Sequence, residues 1–214
     1  MEGNELRRYT SLASILHTLR TGNLVLLSPK LWEDRNDSYY IEAYRQRSEL
    51  AAVLALCLTE AAETYHHWKV FAGEGGGCIV LHKASFIDHV RRGCGLPCQK
   101  VQYRTHRQMD ENGPPKDGDL PYLKRHAFRH EIEWRVIYED SAFADHMEQD
   151  LPLPFTLIDR IVLNPWMPVQ LALSVAEVIR QMSGCGDLKV VRSALIDNET
   201  WKGKINLDER SAMP

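Results

Sequence analysis

Apolar residues in this chain fall into short runs bounded by turn residues, and this pattern most limits what the chain can fold into. The runs cover residues 24–27, 52–58 and 78–81, and a further predicted strand, residues 157–163, is mainly apolar. Their length is typical of buried β-strands. The longest unbroken apolar run, residues 50–58, is too short to cross a bilayer. The sequence therefore predicts a strand-rich globular fold and excludes a membrane-spanning one.

Helical patterns separate these predicted strands. Four residues follow the helical spacing i, i+3, i+4, i+7 in the first helix, which Ser11 caps and Gly22 ends: Leu12, Ile15, Leu16 and Leu19. A helix beginning near Pro168 lies between strands at 157–163 and 188–191, a β-α-β pattern. We therefore expect an α+β fold, a single mixed-sheet domain with flanking helices and a C-terminal β-α-β segment. The domain is expected to cover residues 1–214, with its core at about 6–195.

Other segments give less regular patterns. Residues 30–40 are polar and aromatic and predict a structured loop, followed by a helix at 41–50. We expect a short helix at 64–72, a strand at 100–104, a loop at 110–119, a helix at 120–130 and a strand at 134–138. The polar motifs described next lie in or beside these predicted elements.

Charge and cysteine content narrow the class of protein. The formal net charge of −3 creates no strong field for nucleic acid or an anionic membrane, and the N-terminus has no signal-peptide pattern. Five scattered cysteines do not form a secreted disulfide framework, so we expect a cytoplasmic protein without a membrane partner. Cys94 and Cys98 lack a second chelating pair, and adjacent His66 and His67 on a helix diverge. No metal is therefore expected.

The strongest candidate for a catalytic site is the segment from Glu131 to Arg135. If a strand begins at Glu131, the side chains of Glu131, Glu133 and Arg135 share one face. Two close carboxylates raise each other's pKa and an adjacent arginine lowers it, an arrangement that suits acid–base chemistry. A surface ion-pair cluster is the alternative interpretation. We take Glu131 and Glu133 as candidate catalytic residues, and we favour Glu133 as the catalytic member because alternation along the strand carries it closer to the sheet interior.

Polar and aromatic blocks elsewhere supply the expected binding residues. The segment 34–37 is either a self-bonded turn or a ligand-holding loop, and the segment 64–68 is either a half-buried helix or an aromatic wall. We predict that four residues from separate segments line one cleft: Arg8, Asn36, Trp68 and Glu133.

These residues, taken in order, resemble a bacterial family known as domain of unknown function 2971. The matching blocks are 8–12, Asn36-Asp37-Ser38, Trp68 with Phe71 and the strand at 77–80, and 101–103. The most specific block contains Lys124, Phe128, Glu131, Glu133, Trp134 and Arg135. Ser38, Phe71 and Phe128 replace the family's proline, tyrosine and tryptophan. The resemblance covers about residues 6–195 and implies one continuous fold.

The order of polar residues is also similar to that of ADP-ribosyltransferases. Arg8 or Tyr9 on the first strand, Thr59 on a middle strand and Glu131-x-Glu133 on a late one match that layout. The similarity implies NAD as a substrate, in an ADP-ribosyltransferase-like fold of a phage-defence or toxin system, with a nucleic-acid or protein acceptor. Arg8 would hold pyrophosphate, Tyr9 or Trp68 would stack on nicotinamide, and a glutamate would stabilise the ribosyl cation. The remaining expected ligand contacts are Asn36, Asp37, Thr59 and Arg135.

Two alternatives stay open. The first is a metal-dependent nuclease or phosphodiesterase, in which Asp34 or Asp37 would join Glu131 and Glu133 to hold Mg²⁺. The absence of a lysine two residues after Glu131 or Glu133 weakens this alternative. Those two positions hold Glu133 and Arg135. The second is a non-catalytic ligand sensor or protein-interaction module that uses the same pocket.

Overall fold

A nine-stranded mixed sheet organises the chain, which a computed structural model describes over residues 3–204. The strands are β1 (Glu5–Thr10), β2 (Asn23–Leu27), β3 (Ala52–Thr59), β4 (Gly77–His82), β5 (Cys98–Lys100), β8 (Glu133–Asp140), β9 (Glu148–Pro152), β10 (Ile158–Leu163) and β11 (Val190–Arg192). A separate pair contains β6 (Gln102–Arg104) and β7 (Leu123–Arg125). The helices are α1 (Leu12–Thr21), α2 (Arg35–Arg47), α3 (Tyr65–His67), α4 (Lys83–Asp88), α5 (His106–Asn112), α6 (Val169–Gln181) and α7 (Glu199–Lys202).

The sheet is open and mainly antiparallel. Its order along one path is β11-β10-β4-β1-β3-β2-β9, while β8 pairs with β3 along its whole length and carries β5 on its other side. The one parallel pair in this sheet is β10 with β11, joined through α6. The predicted α+β class with a mixed sheet, flanking helices and a C-terminal β-α-β segment is confirmed.

The largest core lies on one side of the sheet. It joins the sheet to α1, α4 and α6 through residues such as Leu6, Leu54, Ile79, Phe86 and Ile179. Two smaller clusters lie elsewhere, one around Tyr9 and Trp68, the other around Ile41 and Ile137. No helix within residues 3–204 combines the length and apolar character needed to cross a bilayer.

Three local predictions are wrong. The expected loop at 30–40 contains a 3₁₀ turn, Pro29–Leu31, and the first turns of α2, because Asp34 caps that helix by accepting from the amides of Asn36 and Asp37. The expected helix at 120–130 is a 3₁₀ segment, the strand β7 and another 3₁₀ segment, His126–Glu131. Pro121 interrupts helical bonding there. The expected strand at 100–104 is divided between β5 and β6, which pair with different partners.

The turn before β4 depends on a glycine. An added Cβ on Gly76 would lie 1.9 Å from the carbonyl oxygen of Ala72 and 2.4 Å from that of Thr10, both backbone atoms that cannot rotate away. The neighbouring Gly75 has no atom within 4 Å of the same position. The backbone carbonyls of Ala72 and Thr10 therefore leave no room for a side chain at position 76, which requires glycine there.

We predict that Gly76→Ala lowers the free energy of unfolding by at least about 1–3 kcal/mol, the usual range for overpacking. The matched variant Gly75→Ala is expected to change it by less than about 0.5 kcal/mol, because its methyl group enters open space. Urea unfolding of both variants measures the difference. Equal stability of the two variants would contradict the close approach at Gly76.

Candidate functional site

A cleft of about 380 Å³ opens between the end of β3 and the loops that face it. Its walls come from β1, the start of α2, α3 with the π-helix Trp68–Ala72, and the segment from Lys124 to Glu133. Cationic, carboxylate and aromatic side chains all face it. The polar and charged members include Arg7, Arg8, Asp34, Asp37, Thr59, Lys124, Glu131 and Glu133.

Arg8 occupies a gap in the sheet. On one edge of β3, β1 pairs at Thr59 and β2 pairs at Ala55, so the two strands leave the position between them without a strand partner. Arg8 Nη1 donates a hydrogen bond to the carbonyl oxygen of Cys57 at that position, at 3.0 Å. Burial lowers the pKa of the Arg8 guanidinium. Arg8 lines the cleft, and within residues 3–204 no carboxylate lies within ion-pair distance of its guanidinium, although the nearby charge of Glu133 partly opposes the lowering of its pKa.

Arg135 lies directly behind the cleft and is fully buried. Its guanidinium donates to both carboxylate oxygens of Asp37, at 2.7 and 2.5 Å, and to both of Glu133, at 2.7 and 3.0 Å. It also donates to the carbonyl of Pro121 at 2.9 Å, and it lies 5.0 Å from the ring centre of Trp32. A planar fork of donors is suited to such bidentate contacts.

Lys124 links the same carboxylates from the cleft side. Its Nζ lies 2.7 Å from Glu131, 3.1 Å from Glu133 and 3.4 Å from Asp37. Its side chain is mostly buried, and the ring of Phe128 lies 5.0 Å away. We call Asp37, Lys124, Glu131, Glu133 and Arg135 the ion cluster. Three carboxylates therefore share two cations.

The two glutamates of the ion cluster have opposite pKa shifts. Burial raises the pKa of Glu133, but Arg135 and Lys124 outweigh burial and hold it at about 2. Burial also raises the pKa of Glu131, and Lys124 only partly opposes this, so that pKa stays above its ordinary value. Both oxygens of Glu133 accept from cations, whereas Lys124 contacts only Oε2 of Glu131. Glu131, and not Glu133 as the strand pattern favoured, is therefore the carboxylate better placed to exchange a proton.

Backbone contacts hold both glutamates in place. The strand β8 begins at Glu133 and not at Glu131 as predicted, because Ile132 adopts a left-handed conformation with φ of 43°. Thr59 Oγ1 donates to the carbonyl of Glu131 and accepts from the amide of Ala61. The amide of Glu133 donates to the hydroxyl oxygen of Tyr103 at 2.9 Å. The side chain of Thr59 thus positions the backbone of Glu131 and does not contact its carboxylate.

Aromatic rings form the opposite wall. The rings of Tyr9 and His67 stack with centres 5.3 Å apart, and Phe71 packs beside His67. Thr64 Oγ1 lies 2.6 Å from Nδ1 of His67. Burial, followed by the neighbouring His66, lowers the pKa of His67 to about 4, so its imidazole is neutral at pH 7.

The structure brings together most, but not all, of the residues expected at one site. Arg8, Tyr9, Asp37, Thr59, Glu131 and Glu133 line the cleft, and Arg135 lies directly behind it. The expectation that Asn36 and Trp68 line it is wrong. Asn36 is exposed on α2 and bonds to Asp34, while Trp68 is buried behind Tyr9 and donates to Glu63. Helical geometry turns both side chains away from the cleft.

Sequence reasoning missed several residues of the cleft. Lys124 belongs to the most specific block of the family resemblance, which was the available signal for it. Arg7 had no such signal, whereas His67 lies in the segment 64–68, for which an aromatic wall is one interpretation. Trp32 packs against the guanidinium of Arg135 on β8. The two residues are far apart in the sequence, so local patterns do not predict this contact.

Within residues 3–204, no group of three His, Cys, Asp or Glu side chains is arranged to hold a metal ion. No protein-family model, curated protein or solved structure matches this chain. The two resemblances given above therefore depend on the quoted residues alone.

We predict that His67 makes stability depend on pH between about 6.5 and 4. Its pKa is lower in the folded state, so its contribution is complete above 6.5 and is lost as the pH falls towards 4. The difference in unfolding free energy between wild type and His67→Gln should shrink across that window. Urea unfolding at a series of pH values measures it.

Phe71→Leu is the matched control, because it alters the same wall without removing a titrating group. Its difference from wild type should stay constant with pH. A constant difference for His67→Gln as well would show that this imidazole is not held neutral by the fold.

Proposed function

We propose that the cleft binds a nucleotide-like ligand, with NAD as the leading candidate, and that the protein is an ADP-ribosyltransferase-like enzyme. The single observation that carries this proposal is Arg8. A half-buried guanidinium without a paired carboxylate favours an anionic ligand that completes its contacts. Arg8 lines the cleft and pairs with no carboxylate of residues 3–204, so its guanidinium suits a phosphate or pyrophosphate oxygen.

The size and walls of the cleft support a planar ligand group beside that anion. A volume of about 380 Å³ lies within the range of small-molecule pockets, roughly 300–1,000 Å³. Tyr9 and Phe71 offer ring faces and edges for stacking. The neutral imidazole of His67 adds a polar group without a charge. Nicotinamide with its ribose fits this combination.

Glu131 and Glu133 would have different roles in the reaction. In the proposed reaction the bond between nicotinamide and C1′ of the ribose breaks, and its electron pair leaves with nicotinamide. The ribosyl cation is stabilised by the fixed negative charge of the ion cluster. An acceptor nucleophile then bonds to C1′, and its proton passes to Glu131, whose raised pKa suits a general base. Glu133, held by Arg135, supplies charge and position.

One observation favours a second candidate, the non-catalytic ligand sensor. Every oxygen of Asp37 and Glu133 already contacts a cation of the ion cluster, which is also what a purely structural network would require. The same pairing gives less support to the nuclease alternative, because Lys124 and Arg135 occupy the oxygens that Mg²⁺ would need.

We predict that Glu131→Gln lowers NAD consumption by about 10²-fold or more, the usual loss when a general base is removed, with little change in Tm. Glu133→Gln is expected to lower stability by about 1–3 kcal/mol, because it leaves Arg135 partly unpaired. The assay follows NAD loss with DNA, RNA and protein acceptors present, alongside thermal unfolding of each variant.

Glu177→Gln on the exposed side of α6 is the matched control and should behave as wild type. Wild-type protein that binds NAD without consuming it would favour the sensor. Wild-type protein that neither binds nor cleaves NAD would overturn the proposal.

A further inference from the structure

The outer edge of β9 carries backbone groups that the sheet does not use. In the strand order β9 comes last, and β2 is its strand partner within residues 3–204. The amide of Ser28 donates to the carbonyl of Met147 at 3.0 Å, which makes these two residues a hydrogen-bonded pair of the antiparallel ladder. Such pairs alternate along the ladder with pairs that exchange no bond. The amide and carbonyl groups of Glu148 and Asp150 therefore point away from β2, to the open edge.

The open part of this edge has defined limits. Pro152 has no amide hydrogen, and Nε2 of His89 lies 2.8 Å from its carbonyl oxygen, so the edge is closed at that end. The side chain of Gln149 donates to the carbonyl of Asp150 at 3.1 Å, in an exposed contact that a side-chain rotation releases. An added strand would therefore use the backbone groups of Glu148 and Asp150.

The side chains beside this edge form an exposed strip that is both apolar and acidic. Leu27 lies opposite Glu148 in the register, and it is 46% exposed. Val25 lies opposite Asp150, and both carboxylate residues are exposed. Because side chains alternate along a strand, all four lie on the face turned away from the main core. That core takes the alternate residues of the two strands, among them Leu24, Leu26 and Leu151. We call Val25, Leu27, Glu148 and Asp150 the edge strip.

The charge around the edge strip selects the kind of partner. Residues 136–159 contain six acidic side chains and neither lysine nor arginine, although the chain has 26 Lys and Arg against 29 Asp and Glu. Residues 21–29, which include β2, contain no charged side chain. Asp150 accepts a hydrogen bond from Asn23 at 3.2 Å, and in the described part of the chain neither Asp150 nor Glu148 forms an ion pair. The local negative charge is therefore complementary to a basic partner.

We propose that β9 binds an extended basic segment of another protein as an additional antiparallel strand. Main-chain hydrogen bonds to Glu148 and Asp150 would supply affinity. Lysine or arginine side chains opposite these two residues would share their face and pair with both carboxylates.

Other occupants fit the edge strip less well. A second copy of β9 would place Glu148 and Asp150 opposite like charges, which disfavours a homodimer through this edge. Nucleic acid is repelled by the same carboxylates. Among the described residues, those of β2 and β9 do not line the cleft. The proposal therefore holds whether or not the cleft binds NAD.

Fluorescence anisotropy with the labelled peptide Lys-Val-Lys-Val-Lys-Val-Lys tests this inference on the whole chain at low salt. In the antiparallel pairing, the lysines opposite Glu148 and Asp150 use their own amide groups in the added ladder. Methylation of the lysine amide nitrogens is therefore expected to weaken binding at least about 10-fold, since it removes the bonds that these amides donate. Methylation of the valine amide nitrogens, which point outward, should change the affinity by less than about threefold.

The variant Glu148→Lys/Asp150→Lys is expected to weaken binding of the unmodified peptide at least about 10-fold, because two attractive cross-strand pairs become repulsive. Glu177→Lys/Asp187→Lys is the matched control, since it makes the same change in net charge at exposed sites outside β2 and β9. Its affinity should stay within about twofold of wild type, because charges beyond the Debye length are largely screened. Thermal unfolding verifies that both variants are folded.

Three results would overturn the proposal. The first is absence of peptide binding to the wild-type chain at low salt. The second is equal binding of the peptide methylated at its lysines, because that result shows attraction between charges without strand pairing. The third is an equal loss of affinity in the control variant, which would place the peptide elsewhere on the surface.

Discussion

The bidentate pairing of Arg135 with Asp37 and Glu133 is the interaction on which the rest of the site depends. A guanidinium with no exposed surface requires partners for its donors, because a buried unpaired charge is strongly destabilising. Those partners come from α2, from β8 itself and from the carbonyl of Pro121. The pairing therefore joins the start of α2, which is one wall of the cleft, and the 3₁₀ segment Asp117–Tyr122 to the sheet.

The same pairing separates the roles of neighbouring carboxylates. Arg135 takes the whole carboxylate of Glu133 and holds its pKa near 2, so that this group stays ionised at any physiological pH. Of the cations in the described part of the chain, Glu131 contacts Lys124 alone, and its pKa stays raised. Arg8, by contrast, pairs with no carboxylate of that part and lines the cleft. The site thus combines a fixed negative charge, a carboxyl group able to take a proton, and a cation open to a ligand.

Local patterns in the sequence predicted the elements whose residues interact with near neighbours. Ser11 and Gly22 bound α1 as expected, and the β10-α6-β11 unit follows from its periodicity. Patterns failed where distant contacts decide the structure. Asp37 made the start of α2 resemble a polar loop, although its carboxylate is buried against Arg135, 98 residues away. The face shared by Glu133 and Arg135 was predictable from alternation, but the gap that Arg8 fills was not, because it requires the strand order.

We expect the ion cluster to serve ligand binding in the cleft and not stability alone. Buried ion pairs replaced together by apolar residues often leave stability unchanged or higher. The variant Asp37→Leu/Glu133→Met/Arg135→Met removes the guanidinium together with both carboxylates that it holds, and it leaves Lys124 paired with Glu131. Calorimetric titration with NAD, together with urea unfolding, measures both properties on the same protein. We expect a folded variant, with stability within about 2 kcal/mol of wild type, that no longer binds the NAD that wild type binds. A folded variant that binds NAD as tightly as wild type would contradict it.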